Sequence, residues 1–161
     1  MAVISLCVFL AAPRRANASV PRLDLGEGFR RLYDLDFNGA SQDFEAWEKQ
    51  NPENSMGPAS QAAGILFSEF NRLGVLEAQF YESDSVFANR KKYEADPAEK
   101  VRFDEQLVRA EALANARLKR DSHDRDALLT MTLAAGLRSD FAALIEKRNL
   151  ASLHYTKEAS A

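Results

Sequence analysis

Apolar residues along this chain recur at three- and four-residue spacings, without the sustained alternation that a half-buried strand requires. Phe29, Leu32, Tyr33 and Phe37 fall on one helical stripe. Ala40, Phe44 and Trp47 fall on a second, with Asn38-Gly39 as the turn signal between them. Asn51-Pro52 stops the second helix, and Met56-Gly57-Pro58 opens a third, since proline is tolerated in a first turn. The third stripe is Ala62, Leu66, Phe70, Leu73 and Leu76, widened by Ile65 and Phe80. Ser83-Asp84-Ser85 breaks it, and a short helix is expected to follow as far as Tyr93. Asp96-Pro97 reads as a cap and first helical residue, opening the longest helix, over 97–120. Its stripe is Phe103, Leu107, Ala110, Ala114 and Leu118. After a polar junction at 121–124, residues 126–137 are apolar on most faces, the mark of a helix packed on both sides. Ser139-Asp140 is expected to cap a last helix carrying Phe141, Leu144, Ile145 and Leu153.

This pattern predicts an all-α protein of about six or seven helices, and its short connections make consecutive helices pack antiparallel. A stripe on one helix is buried by its neighbours in the chain, so the expected architecture is a row of helical hairpins. Segments 40–52 and 110–122 have the same layout. Each is the second helix of a pair, with Ala40 matching Ala110 and Asn51-Pro52 matching Asp121-Ser122. The offset of seventy residues is twice 35, close to the period of about 34 seen in one helical repeat.

The first pair resembles a tetratricopeptide repeat. Counting back from Pro52 as the closing proline, Ala40 holds the small position of the second helix, Phe44 the aromatic one turn later, and Gly28 the glycine of the first helix. Trp47 replaces a second small residue, and Tyr33 lies two positions after the expected tyrosine, where Arg31 stands. Ser122 takes the proline's place in the later pair, and the segment from Glu53 to the region of Tyr93 does not align. The resemblance implies a short tetratricopeptide-like α-solenoid of antiparallel hairpins. The alternative is a non-repetitive helical bundle. A solenoid of this kind implies a non-catalytic scaffold that binds a protein or peptide partner on a helical surface.

Composition narrows the picture further. The chain of 161 residues has 21 Lys and Arg against 24 Asp and Glu, a formal charge of −3 that disfavours nucleic-acid binding. Its 46% hydrophobic content suits a folded domain. Residues 2–12 are apolar apart from Ser5, too short a run to span a bilayer but suited to the core of a secretory signal. Ala16-Asn17-Ala18 supplies a small-x-small cleavage pattern, so residues 1–18 read as a signal peptide and 19–161 as the helical domain. Arg14-Arg15 after the apolar run, and the lack of a basic residue before it, are departures from that pattern. Cleavage would leave a chain of charge −5 with neither Cys7 nor a membrane span, exported to the periplasm of a bacterium or beyond. The apolar stripe of the last helix wants a partner, either a second copy of the chain or a further repeat of a longer array of which 19–161 is an incomplete part.

One motif carries chemistry of its own. Asp34-Leu35-Asp36-Phe37-Asn38-Gly39, with Glu45 six residues on, matches the helix-loop-helix calcium loop. Asp34, Asp36 and Asn38 would supply oxygens, Gly39 the sharp turn, and Glu45 a bidentate closing ligand. Against it, Ser41 stands where that loop places an aliphatic residue, and no second loop is present. Phe37 is also in phase with the Ala40, Phe44, Trp47 stripe, as expected if Asn38-Gly39 is simply the turn of the first hairpin. A calcium-binding module is therefore the rival to the scaffold, and calcium the only cofactor with a motif. His123 and His154 have no nucleophile or second ligand near them in sequence, and no hydrolase, phosphate-loop or dinucleotide pattern occurs, so an enzyme is not expected. Arg90-Lys91-Lys92 is followed by Glu94, Asp96 and Glu99 and reads as a solvated mixed-charge face. Trp47, Phe67, Phe70, Phe80 and Tyr81 are candidates for a peptide groove, with core packing as the simpler role.

Overall fold

A computed structural model describes residues 24–75, 93–148 and 154–157. The apolar N-terminal run, Phe80, Tyr81, the Ser83-Asp84-Ser85 break, Arg90-Lys91-Lys92 and Leu153 lie outside them. Regular structure among the described residues is helical throughout: α1 (Leu25–Tyr33), α2 (Phe37–Gln50), α3 (Met56–Arg72), α4 (Pro97–Leu118) and α5 (Arg125–Asp140), the last continuing into a π-helical turn, Phe141–Ile145. The protein is all-α, as the pattern predicts.

The helix starts follow local chemistry. Asp24, Asp36, Asp96 and Asp124 each accept a backbone N–H from the first turn of α1, α2, α4 and α5, satisfying donors that the helix leaves unpaired. Pro97 occupies the first turn of α4, as expected. The turn of the first hairpin comes earlier than the sequence suggests. Asn38-Gly39 is not the turn but the first turn of α2, and Phe37 belongs to α2 rather than to the stripe of α1. The reversal is made at Asp34, Leu35 and Asp36, where Leu35 rather than a glycine takes the left-handed backbone at φ 63°. The Asp36 carboxylate, bonded to the Gly39 N–H at 3.0 Å, starts the helix there. A second difference lies at Ser139-Asp140. No new helix is capped there, because α5 runs straight into the π turn and Ser139 is buried.

Each helix packs against its predecessor with reversed direction. Ser41 of α2 bonds Gln61 of α3, and Glu69 near the end of α3 accepts the Asp96 N–H at the start of α4, at 3.0 Å. Glu111 of α4 pairs with Arg138 of α5, and Arg117 with Asp124. A hydrogen bond of 2.8 Å joins Ser55, before α3, to Thr130 in the first half of α5, so α3 and α5 run the same way. The odd-numbered helices therefore share one direction, and α2 and α4 share the other.

Burial divides into two clusters. The larger joins α3, α4, α5 and the π turn through Leu66, Phe70, Phe103, Leu107, Phe141 and Ile145. Phe103 and Phe141 stack at 5.0 Å. The smaller consists of Leu32, Ala40 and Phe44, flanked by Leu25 and Phe37. Ala40 and Ala110, the paired small residues of the sequence repeat, are both wholly buried. The expectation that the fifth helix is packed on both sides holds only in part. It lies against α3 and α4, yet Leu128 and Leu129 remain 46% and 56% exposed.

Candidate functional site

Among the described residues, two of the concave surfaces lie between α1, α2, α3 and α4. The first is apolar, with a volume of about 320 Å³, and is lined by Phe29, Leu32 and Tyr33 of α1, Leu35 of the turn and Phe67 of α3. Its chemistry follows from the packing of α1. Gly28 lies against the Phe44 ring, and a Cβ there would collide with it, so α1 settles closely onto α2. Phe29 turns outward beside that ring at 5.1 Å. Tyr33 is 89% exposed, Leu35 53% and Phe67 40%, so no other described residue fills the apolar surface. The left-handed backbone at Leu35 completes the rim, although a leucine pays a steric cost in that conformation.

The second surface is a polar groove with α2 and α4 as walls and α3 as floor. Two adjoining hollows, of about 250 and 160 Å³, share Gln61, Ile65 and Arg102. Glu48 and Arg109 form an ion pair across it from one wall to the other. Arg102 pairs with Glu99 at 2.8 Å, and Lys49 with Glu45 at 4.0 Å. The Gln61 amide is fully engaged by Ser41, donating to its carbonyl at 3.1 Å and accepting from its hydroxyl at 3.2 Å. The groove's charges are thus largely paired with one another.

The sequence-predicted calcium residues fall around these surfaces in separate roles. Asp34 caps the end of α1, its N–H donating to the Arg30 carbonyl at 3.0 Å. Asp36 caps α2 and also receives the Arg31 guanidinium at 2.8 Å. The Gly39 N–H and that guanidinium hold the Asp36 carboxyl below the ordinary aspartate range. Arg31 continues to Asp43 at 2.7 Å, stapling the two arms of the hairpin. Asn38 and Glu45 both sit within α2 and line the polar groove. Because α2 starts at Phe37, most of the 34–45 stretch is helix rather than a ligand loop, and Asp36 already holds two donors. Among the described residues no three His, Cys, Asp or Glu side chains gather as a metal site.

His123 and His154 are at the surface, the first beside the Ser122 hydroxyl at 3.2 Å and the second beside the Tyr155 ring at 5.8 Å. Among the groove candidates, Phe67 lines the apolar pocket, Phe70 is in the core and Trp47 is half-buried. Phe80 and Tyr81 lie outside the described residues. Phe29 and Tyr33 share a helical stripe with Leu32 in the sequence, yet both are exposed while Leu32 is buried. The signal for this was available in Gly28, whose missing side chain lets α1 rest on Phe44 with its neighbour turned outward. Compared with protein-family models, curated proteins and solved structures, the chain matches none.

Proposed function

We propose that this protein is a non-catalytic scaffold of the bacterial envelope, exported by residues 1–18, that binds a peptide segment of a partner protein. The observation carrying this reading is the open apolar pocket between α1 and α3, where Phe29, Tyr33, Leu35 and Phe67 offer aromatic and aliphatic surface to solvent. Such a pocket takes an apolar side chain of a peptide, and aromatic anchors of this kind supply most of the energy at protein contacts.

A tetratricopeptide-like stack is the architecture that goes with this reading. Support comes from the common direction of α1, α3 and α5, and from the packing of α3 on α2 and of α5 on α4. The starts of α3 and α5, at Met56 and Arg125, are separated by nearly the same interval as Ala40 and Ala110. In that arrangement α1, α3 and α5 are equivalent first helices, with α3 and α5 two periods of about 35 residues apart, and the pocket lies between α1 and α3.

Panning a displayed random-peptide library against the purified chain tests the proposal. Enriched peptides share an aromatic or branched apolar anchor, and Tyr33→Ser and Phe67→Ser each weaken binding at least about tenfold without lowering the melting temperature. Failure to enrich any peptide, or enrichment indifferent to both variants, overturns it.

A further inference from the structure

The outward face of α5 carries a stripe at intervals of four, three, four and four residues: Arg125, Leu129, Thr132, Gly136 and Asp140. This is the spacing of a helix–helix seam. The core-facing residues Ala127, Thr130, Ala134 and Leu137 occupy the opposite side. Arg125, Thr132 and Asp140 are exposed, Leu129 is 56% exposed, and a Cβ added to Gly136 would meet nothing within 4 Å. Helices α1 to α4 leave the stripe uncovered, and the described segment 154–157 lies beside its Asp140 end, where Thr156 bonds Ser139 at 3.1 Å.

The stripe is self-complementary. Reversed about a point between Thr132 and Leu133, Arg125 falls on Asp140 and Leu129 on Gly136, with Thr132 beside the centre and Leu133 turned to the core. Two copies of α5 laid antiparallel would place an arginine against an aspartate at each end and a leucine over the space left by a glycine on each side of the centre. The charges stand about 22 Å apart along a helix that rises 1.5 Å per residue, so both pairs form only in this register. Neither side chain has an ion-pair or hydrogen-bond partner among the described residues. Partial desolvation holds the Asp140 carboxyl above its ordinary range, with no cation beside it among the described residues. Between the charged ends, the exposed large apolar side chains of α5 are Leu128 and Leu129.

We infer that two copies of this chain associate through α5, antiparallel about a two-fold axis near Thr132, with Arg125 of each copy paired to Asp140 of the other. A two-fold contact uses the same patch on both subunits, and the charge pattern reads correctly only when reversed against itself. Glycine at 136 lets the backbones approach closely at the point where leucine enters.

Sedimentation velocity on the full chain and its charge variants tests this. The unaltered chain sediments as a dimer at tens of micromolar. Arg125→Asp and Asp140→Arg each turn two attractive contacts into two repulsive ones and weaken association at least about tenfold. An equimolar mixture of the two variants recovers the dimer, because their charges are complementary, and so does the double variant. Association through any other part of the chain is indifferent to these exchanges. Gly136→Leu is monomeric with an unchanged or raised melting temperature, which separates loss of contact from loss of fold. A monomer throughout, variants that associate like the unaltered chain, or a mixture that fails to recover overturns the proposal. So does binding of a monomer to phosphatidylglycerol vesicles abolished by Gly136→Leu, which would assign the face to a membrane.

Discussion

In α2 the wholly buried residue at position 44 is a phenylalanine whose ring lies against Gly28. Seventy residues on, in α4, the matching position is Ala114, also wholly buried. The first hairpin fills its interior with one large ring and removes a side chain opposite to make room. The α3–α4–α5 region uses small residues there and takes its bulk from Phe103 and Phe141 at the far end of α4. The first solution concentrates a hairpin's packing in one contact, and the second spreads it over three helices. Polar pairs follow the same division. Arg31 holds the α1–α2 hairpin through Asp36 and Asp43, whereas Glu69–Arg72, Glu111–Arg138 and Arg117–Asp124 are distributed through the larger region. Similar helix layouts thus reach stability by unlike distributions of volume, and they should fail differently.

The largest effect is expected where the large cluster is cut. Phe103→Ala removes a ring stacked on Phe141 and costs about 3–5 kcal/mol, lowering the whole thermal transition in calorimetry. Glu69→Gln comes next. The buried Glu69 carboxylate accepts both Arg72 nitrogens at 2.7 Å and the Asp96 N–H, which holds it below the ordinary glutamate range. Losing that charge costs about 2 kcal/mol in denaturant unfolding. The linkage has a definite sign. Because the folded value lies below the unfolded one, near 4.3, the contribution is complete above about pH 5 and disappears as pH falls through the folded value. The variant therefore shows a shallower acid limb, and an unchanged limb would remove Glu69 from the account.

Gly28→Ala acts on the other region. The new Cβ meets the Phe44 ring and costs about 1–3 kcal/mol, less up to about 1 kcal/mol regained from helix propensity. Hydrogen exchange should accelerate in α1 and α2 while α4 and α5 keep their protection, and uniform acceleration would dissolve the contrast between the regions. The smallest effect belongs to the turn between α1 and α2. With Asp36 already accepting from Gly39 and Arg31, millimolar calcium shifts the melting temperature by less than about 1 °C. A larger shift in a calcium titration would restore Asp34, Asp36, Asn38 and Glu45 to a shared role.

Much of the helical layout was legible because its signals are local. Asp96-Pro97 marks the start of α4 through a cap and a fixed φ, and Met56-Gly57-Pro58 marks α3 through the proline alone, since Ser55 makes no side-chain cap there. The turn at 34–36 was not legible. Asn38-Gly39 carries the stronger turn propensity, but the Asp36 cap and the Arg31 staple outweigh it, and both depend on α1 already lying beside α2. The exposed leucines near the start of α5 are not legible for a related reason. A run such as Leu128, Leu129, Met131 and Leu133 says that a helix is apolar, not which of its faces a neighbour covers. The apolar pocket was half visible. Phe67 was among the groove candidates, while Phe29 and Tyr33 share the core's spacing, and only the rotation of α1 about Gly28 separates them from it.

Leu35 supplies a last consequence. At φ 63° it occupies a backbone conformation in which glycine or asparagine would rest without strain, yet it is a leucine whose side chain rims the pocket. A Gly or Asn substitution would relax the turn while stripping apolar surface from the pocket. Folding ease and pocket surface therefore pull this position in opposite directions. In a collection of variants sorted for thermal stability alone, it is among the first places where the chain would lose the apolar rim of the pocket.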